Sequence, residues 1–230
     1  MINCTSTERS RCHWQLDFLI MWMRIINSIK RRFYRIYNKF GGGNNIKGIS
    51  LLRRFRSVVI DGTGNVIEIH SPISNDVHIM IYGNNHKLII EEGVIFKNGQ
   101  IWFEDHGCEI RIGSGTTIEE ANLAVAENST KLIIGKDCMF SRGINIVTTD
   151  SHSIISLETR ERTNPAKDVI IGNHVWLGNG VSINKGVTIG FDAIVAGHSI
   201  VTKSISSNCI AAGVPAKVVK TGVTWNRVRV

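Results

Sequence analysis

The second half of the chain repeats every six residues. Aliphatic side chains occupy one phase of this repeat, at Ile171, Leu177, Ile183, Ile189, Val195 and Val201. A second small or aliphatic side chain follows each of them four residues later, from Val175 to Ile205. A period of six is neither the ~3.6 residues of an α-helix nor the two of a flat strand. It is typical of a coil with flat sides that each turn one aliphatic side chain inward, and it predicts an all-β chain, the hexapeptide form of a parallel β-helix.

A longer period precedes this region. Three similar segments, Lys87–Ile90, Glu109–Ile112 and Lys131–Ile134, recur 22 residues apart. Because three hexapeptides make a coil of about 18 residues, each earlier coil carries about four extra residues. We expect about six coils between Val66 and Ile205, stacked at the ~4.8 Å spacing of strands. Each coil buries little alone, so stability is expected to come from stacking and from capped ends.

The repeat is interrupted once. Between residues 151 and 168 the six-residue phase is lost, and a polar stretch opens with His152 and includes Arg160 and Arg162. Loops held by a rigid scaffold are where binding and catalytic residues concentrate. The loop over 151–168 is therefore a candidate functional element.

The N-terminal segment has a different pattern. The run Leu16–Met23 is apolar but shorter than the ~20 residues that span a bilayer, and no signal-peptide cleavage site follows it. Between Arg24 and Phe40 apolar residues recur at helical spacing among Lys and Arg, ahead of three glycines. This pattern predicts a basic amphipathic α-helix.

The predicted organisation has three parts. An N-terminal helix lies within residues 1–45, the β-helix domain over 46–222, and a tail over 223–230. Two interpretations of the helix stay open. Residues 14–40 dock on the anionic inner membrane, or the helix packs on its own domain or on a partner subunit.

Composition limits the function classes. Hydrophobic residues at 43% and charged residues at 20% exclude wholesale disorder. A net charge of +8 favours anionic partners, such as an acidic glycan, lipid or phosphate-bearing cofactor. The basic cluster at residues 30–35 has no nucleic-acid-binding fold around it, so no nucleic acid is expected. The five cysteines form no C-x-x-C pair, which predicts no disulfide framework, no metal site and a cytoplasmic location.

Several segments of the repeat region resemble the hexapeptide-repeat acyltransferases. They are the stretches IGNHVWLG at 171–178, GVTIG at 186–190, AGHSIVTK at 196–203 and AGVPAK at 212–217. The chain is most similar to galactoside and maltose O-acetyltransferases and to bacterial capsule or O-antigen O-acetyltransferases, including the polysialic acid type. The resemblance covers about residues 110–222 and is strongest from residue 146 onward.

The resemblance implies a fold, an assembly and a donor. The expected fold is a left-handed parallel β-helix, an exception to the right-handed crossover rule. The expected assembly is a homotrimer with active sites between subunits. Acetyl-CoA is implied as a co-substrate rather than as a permanently bound cofactor.

The resemblance also places the general base at His152. A sugar hydroxyl is a poor nucleophile, so its attack on a thioester needs a base of near-neutral pKa, which histidine supplies. Backbone N–H groups can stabilise the developing oxyanion. Asp150 or a backbone carbonyl is a candidate to orient the imidazole, as carboxylates do in catalytic triads.

Donor and acceptor residues are carried over in the same way. The expected acetyl-CoA groove comprises Trp176, Asn179, Gly197, Thr202, Lys203, Lys217 and Lys220. The lysines can pair with the CoA phosphates, and the Trp176 ring offers an apolar wall for pantetheine or sugar. The acceptor-side candidates are Asn122, Trp176, Arg160 and Arg162.

The sequence thus predicts an acetyl-CoA-dependent O-acetyltransferase. Its expected acceptor is a hydroxyl of a bacterial surface polysaccharide, and an acidic, sialic acid-containing one suits the net charge. Two alternatives remain: an N-acetyltransferase of a nucleotide-linked amino sugar, and a β-solenoid that binds without catalysis. The expected location is the cytoplasm, or the cytoplasmic face of the inner membrane if the N-terminal helix docks there.

Overall fold

The structure is a computed structural model that describes residues 42–48, 58–74 and 76–229. The predicted N-terminal helix, and with it the membrane-docking interpretation, lies outside the described residues. All regular structure within the described residues is β-strand. In this part of the chain no helix is long and apolar enough to cross a membrane.

The strands are short and follow the two periods of the sequence. The longer, earlier coils contain β1 (Asn45–Lys47), β2 (Val58–Asp61), β3 (Val66–Ile69), β4 (Asp76–Tyr82), β5 (Lys87–Ile90), β6 (Ile95–Phe96), β7 (Asn98–Phe103), β8 (Glu109–Ile112), β9 (Thr117–Ile118), β10 (Ala121–Val125), β11 (Lys131–Ile134), β12 (Met139–Phe140) and β13 (Ile144–Val147). The hexapeptide coils contain β14 (Val169–Ile171), β15 (Trp176–Leu177), β16 (Ser182–Ile183), β17 (Thr188–Ile189), β18 (Ile194–Val195), β19 (Ile200–Val201), β20 (Cys209–Gly213) and β21 (Ala216–Thr221).

These strands stack into three sheets, one for each side of the coil. Face 1 has the order β1-β3-β5-β8-β11-β14-β17, face 2 the order β6-β9-β12-β15-β18-β20-β21, and face 3 the order β2-β4-β7-β10-β13-β16-β19. All pairs are parallel except the terminal hairpin β20–β21. From β5 to β19 the chain passes from face 1 to face 2 to face 3 in each coil, which confirms the predicted parallel β-helix of hexapeptide repeats.

Strand register explains how the repeat makes a core. Ile171 pairs with Ile189, and Ile183 pairs with Val201, each 18 residues further along the chain. In the earlier coils Lys87, Glu109 and Lys131 are in register at the predicted spacing of 22. In every strand from β2 to β19 at least one apolar residue points inward and is buried. Phe96, Phe103 and Phe140 fill the interior of the longer coils.

Glycines make close stacking possible at the corner between faces 1 and 2. Gly113, Gly135, Gly172 and Gly190 lie there in successive coils. A Cβ on Gly135 would lie 2.6 Å from the Gly172 carbonyl carbon and oxygen. Since that neighbour is backbone, it has little room to give way, and only glycine allows this approach.

The C-terminal tail runs back along this same corner. The indole N–H of Trp225 donates to the His174 carbonyl oxygen at 2.7 Å, and the two rings stack with centroids 4.1 Å apart. The Arg227 guanidinium then pairs with the Asp137 carboxylate at 2.9 Å. The tail therefore ties the end of the chain to coils well below it.

Candidate active site

The predicted loop leaves the stack at the corner between faces 3 and 1. Strand β13 ends at Val147, and the chain rejoins face 1 at β14. Paired rungs of face 1 are 37 positions apart across this insertion, whereas Ile171 and Ile189 are 18 apart. A single coil thus carries an excursion about as long as another whole coil.

His152 lies at the start of the loop with its side chain exposed to solvent. Its backbone N–H donates to the Asp150 carbonyl oxygen at 2.7 Å, and its own carbonyl accepts from the Asn164 side chain at 2.9 Å. The imidazole itself makes no hydrogen bond to any described residue. The main chain is therefore fixed while both ring nitrogens are available to a substrate.

Asn164 holds both sides of the His152 backbone. Its amide NH₂ donates to the His152 carbonyl and, at 2.8 Å, to the Asp150 carboxylate. Its side-chain oxygen, Oδ1, accepts from the Ile154 N–H at 2.6 Å. The side chain is buried, so these bonds are protected from water. Sequence reasoning did not single out this residue, because an Asn beside Pro165 is also typical of an ordinary turn.

The Asp150 carboxylate is bound by the side chains of Lys185 and Asn164, and not by the His152 imidazole. The Lys185 ammonium donates to its carboxylate at 2.6 Å, and Asn164 donates to the same oxygen. These two hydrogen bonds, that of Lys185 above all, lower the pKa of the Asp150 carboxyl. The Lys185 side chain is largely buried, and its ammonium also donates to the main-chain carbonyl oxygen of Asn164 at 2.7 Å. The orienting role predicted for Asp150 stays a prediction, while the geometry shows it anchoring the loop.

Glu127, in the coil below, forms the second anchor of the loop. The Arg162 guanidinium donates to both carboxylate oxygens at 2.7 and 2.6 Å, and Thr149 Oγ1 and the Ala166 N–H donate to them as well. This set of donors, led by Arg162, lowers the pKa of Glu127 to about 2. Arg162, predicted to bind the acceptor, is therefore engaged within the protein. The Arg160 side chain is exposed and unpaired among the described residues.

The lowered pKa predicts how the loop anchor responds to acid. Because the carboxyl pKa falls from 4.5 to about 2 on folding, Glu127 stabilises the folded state above pH ~4.5. That contribution is lost as the pH falls towards about 2. We expect Glu127→Gln to lower the free energy of unfolding at pH 7 and to differ less from the parent as the pH falls through this range. Denaturant unfolding at a series of pH values measures this, and a difference that is constant with pH would contradict it.

The predicted donor residues lie at several places on the solenoid. Asn179 and Gly197 are at the corner between faces 2 and 3 in successive coils, joined through the hydrogen bond from the His198 N–H to the Asn179 carbonyl at 2.6 Å. Lys217 and Lys220 are exposed on β21, at the end of the stack. Thr202 and Lys203 follow β19 at the corner between faces 3 and 1, on the side of the His152 loop.

The two remaining candidates lie on flat faces. Trp176 projects from face 2 with 38% of its surface exposed. It borders an apolar groove of about 460 Å³ that Met139 and Ile95 also line, and Arg227 of the tail lies at its edge. Asn122 projects from β10 on face 3.

One chain alone does not bring all the predicted site residues together. His152 and Lys203 share one corner, Asn179 and Gly197 share another, and face 3 separates the two corners. No group of three His, Cys, Asp or Glu side chains in the described ranges is placed to hold a metal ion. The site is therefore a set of separated surfaces, with an exposed imidazole at one of them.

No protein-family model matches the chain. It is 39% identical over 195 residues to a polysialic acid O-acetyltransferase of Neisseria meningitidis, which covers 84% of the chain and 90% of that relative. It is also 39% identical over 121 residues to a polysialic acid O-acetyltransferase of Escherichia coli O1:K1, but it spans only 39% of that protein's length.

Two solved structures share the fold. The polysialic acid-specific acetyltransferase structure has a TM-score of 0.68 at 33% identity and covers 74% of this chain and 78% of its own. A polysialic acid O-acetyltransferase structure has a TM-score of 0.61 at 35% identity, with 75% and 92% covered. The coiled architecture and these relatives together define an acyltransferase class. The chain belongs to the hexapeptide-repeat O-acetyltransferase family, as the sequence predicted.

Proposed function

We propose that the protein transfers an acetyl group from acetyl-CoA to a hydroxyl of a bacterial surface polysaccharide, with His152 as the general base. The observation that carries this proposal is the exposed imidazole, which has no hydrogen-bond partner among the described residues, on a loop that is held by contacts to two coils. The naming of the Neisseria and Escherichia relatives supports the polysaccharide acceptor.

The chemistry needs one base and one set of donors. His152 takes the proton of the sugar hydroxyl while the sugar oxygen bonds to the thioester carbonyl carbon. Backbone N–H groups stabilise the resulting oxyanion. The carbon–sulfur bond then breaks, the imidazolium returns its proton to the CoA sulfur, and the acetyl ester remains on the glycan.

We propose that the active site is completed by a second copy of the chain in a homotrimer. The two corners that carry His152 and Asn179 face different directions in one protomer. If His152 at one corner faces the Asn179 corner of a neighbour, base and donor groove meet, and three copies close the ring. Measuring the mass of the protein in solution tests this, and an active monomer would overturn it.

The lysines of β21 provide a test of the donor site. Each exposed lysine that pairs with a CoA phosphate contributes up to ~1 kcal/mol, a factor of about five in affinity. We expect Lys217→Ala with Lys220→Ala to raise the KM for acetyl-CoA about five- to twentyfold with little change in kcat. The matched control is Lys47→Ala, in the first coil and paired with Glu68, which should leave the KM unchanged.

The acceptor and location are part of the same proposal. The net charge of +8 favours an acidic polymer, such as a sialic acid-containing capsule or O-antigen. Cys108, Cys138 and Cys209 are buried free thiols, as is usual for proteins of the reducing cytoplasm. Peripheral membrane contact through residues 14–40 is proposed on the sequence pattern alone, and vesicle co-sedimentation of the full chain tests it.

The function is tested by measuring the acetyl groups that are attached to the glycan. Surface polysaccharides from cells with and without the protein are compared by mass spectrometry, and the purified protein is assayed with acetyl-CoA and acidic or neutral glycans. Base-labile acetyl esters that depend on the protein are the expected result. Unchanged glycans, or acetyl groups that resist base as amides do, would contradict the proposal.

A further inference from the structure

Face 3 carries a column of polar side chains that have no partner in the part of the chain that the structure describes. Register aligns one outward residue from each of five successive strands: His78, Gln100, Asn122, Asn145 and Ser182. The residues that follow them in the same strands, such as Ile79, Ile101 and Leu123, are fully buried, so this column faces outward. None of the five side chains hydrogen-bonds to any described residue. We call this set the polar column.

An apolar column runs beside it. The outward residues two positions further along the same strands are Met80, Trp102, Ala124 and Val147, again in register. The Tyr82 ring packs against Trp102 with centroids 5.1 Å apart and the planes tilted by 50°. Side chains in this column are half-buried rather than fully exposed. Face 3 is thus striped along the axis of the solenoid, with hydrogen-bonding groups on one side and aromatic and aliphatic surface on the other.

The stripes match the chemistry of a sugar chain. A pyranose ring has a polar edge of hydroxyls and an apolar face of C–H groups that packs on aromatic rings. Side-chain amides both donate and accept hydrogen bonds, so Gln100, Asn122 and Asn145 suit hydroxyl, carboxylate and N-acetyl groups alike. Successive rungs are ~4.8 Å apart, close to the length of one sugar in an extended chain, and five rungs span about 19 Å. A regular ladder therefore fits a regular polymer.

The columns lead to the loop that carries the candidate base. Asn145 and Val147 lie on β13, and the chain continues from Val147 directly into the segment with Asp150 and His152. We propose that the two columns of face 3 form a binding strip for an extended stretch of the acceptor glycan, which delivers one sugar of the chain to His152. This inference rests on the proposed function and adds binding subsites several sugars away from the reacting one.

The polar column argues against a second copy of the chain as the occupant. Each buried amide or hydroxyl left without a partner costs about 1–3 kcal/mol, and a column of five would burden a protein interface heavily. Sugar hydroxyls can satisfy all of them. The solenoid face also presents no unpaired strand edge in this region, so an added peptide strand has no backbone to pair with.

The test compares acceptors of different length. Short sialic acid oligomers, which reach only the end of the strip near His152, are compared with long ones. The long oligomers have roughly five residues or more and span the ~19 Å of the column. The parent protein should show a lower KM for the long oligomers. Gln100→Ala and Trp102→Ala should raise the KM for long oligomers about three- to tenfold and leave short ones unchanged. Controls on the outward side of face 1 are Lys131→Ala and Ile133→Ala, which should change neither.

Direct binding of the same oligomers, by calorimetry without acetyl-CoA, separates this inference from the proposed function. Length-dependent binding that Gln100→Ala weakens supports the strip even if no acetyl group is transferred. Transfer or binding that is independent of oligomer length, or no binding of any oligomer, would overturn it. A change in the mass of the assembly on Gln100→Ala or Trp102→Ala would overturn it too, since face 3 would then be a contact between subunits.

Discussion

Replacing His152 with alanine is expected to lower kcat for acetyl transfer by about 10²- to 10⁴-fold, the range typical of losing a general base. The KM for acetyl-CoA should change little, because the predicted donor groove is formed by other residues. Stability should be unaffected, since the imidazole makes no hydrogen bond to the described part of the protein. Initial rates of thiol release from acetyl-CoA in the presence of glycan measure the first effect, and denaturant unfolding measures the second.

His70→Ala is the matched control for this substitution. His70 is also exposed, but it lies at the end of β3, several coils away from the loop. The control should retain full activity. If His152→Ala retains parental kcat, or if both variants lose activity to the same extent, His152 is not the base.

Replacing Phe140 with alanine is expected to cost about 3–5 kcal/mol of unfolding free energy. Phe140 is fully buried on β12, and its ring helps to fill the core below the hexapeptide coils. A coil contacts only its neighbours, so a cavity here weakens the stacking of the repeats on either side. Equilibrium unfolding in denaturant measures the loss.

Phe191→Ala removes the same atoms from a different environment. Phe191 lies at the corner between faces 1 and 2, with 54% of its surface exposed. Its truncation should cost no more than about 0.5 kcal/mol, as is usual for surface positions. Equal losses in the two variants would contradict the core that the register defines.

The fold was predictable because one constraint is repeated many times. The rungs of each face need an inward apolar residue, such as Ile183 or Leu177, so the same period recurs along the chain. The loop was visible by the same logic, as a stretch where Asp168 and the residues before it break that period. Family resemblance then singled out His152 among eight histidines.

The anchors of the loop were not predictable, because their partners are far apart in the chain. Glu127 meets Arg162 across 35 positions, and Lys185 meets Asp150 across another 35. Each is a charged or polar residue in a turn, where solvent exposure is the ordinary expectation. Arg162, one of the two arginines that the sequence assigned to the acceptor, binds Glu127 within the protein. The polar column around Asn122 becomes visible only when the register of the strands is known, because its members are 22, 22, 23 and 37 positions apart.

The loop has two regions with different constraints. The stem is stapled to the coil below through Glu127 and to the coil above through Lys185. The tip, residues 155–161, forms its backbone and hydroxyl hydrogen bonds only within the loop. Leu157, in the middle of the tip, is 85% exposed. The sequence of the tip can therefore change without breaking either anchor, while the stem keeps the backbone of His152 in place.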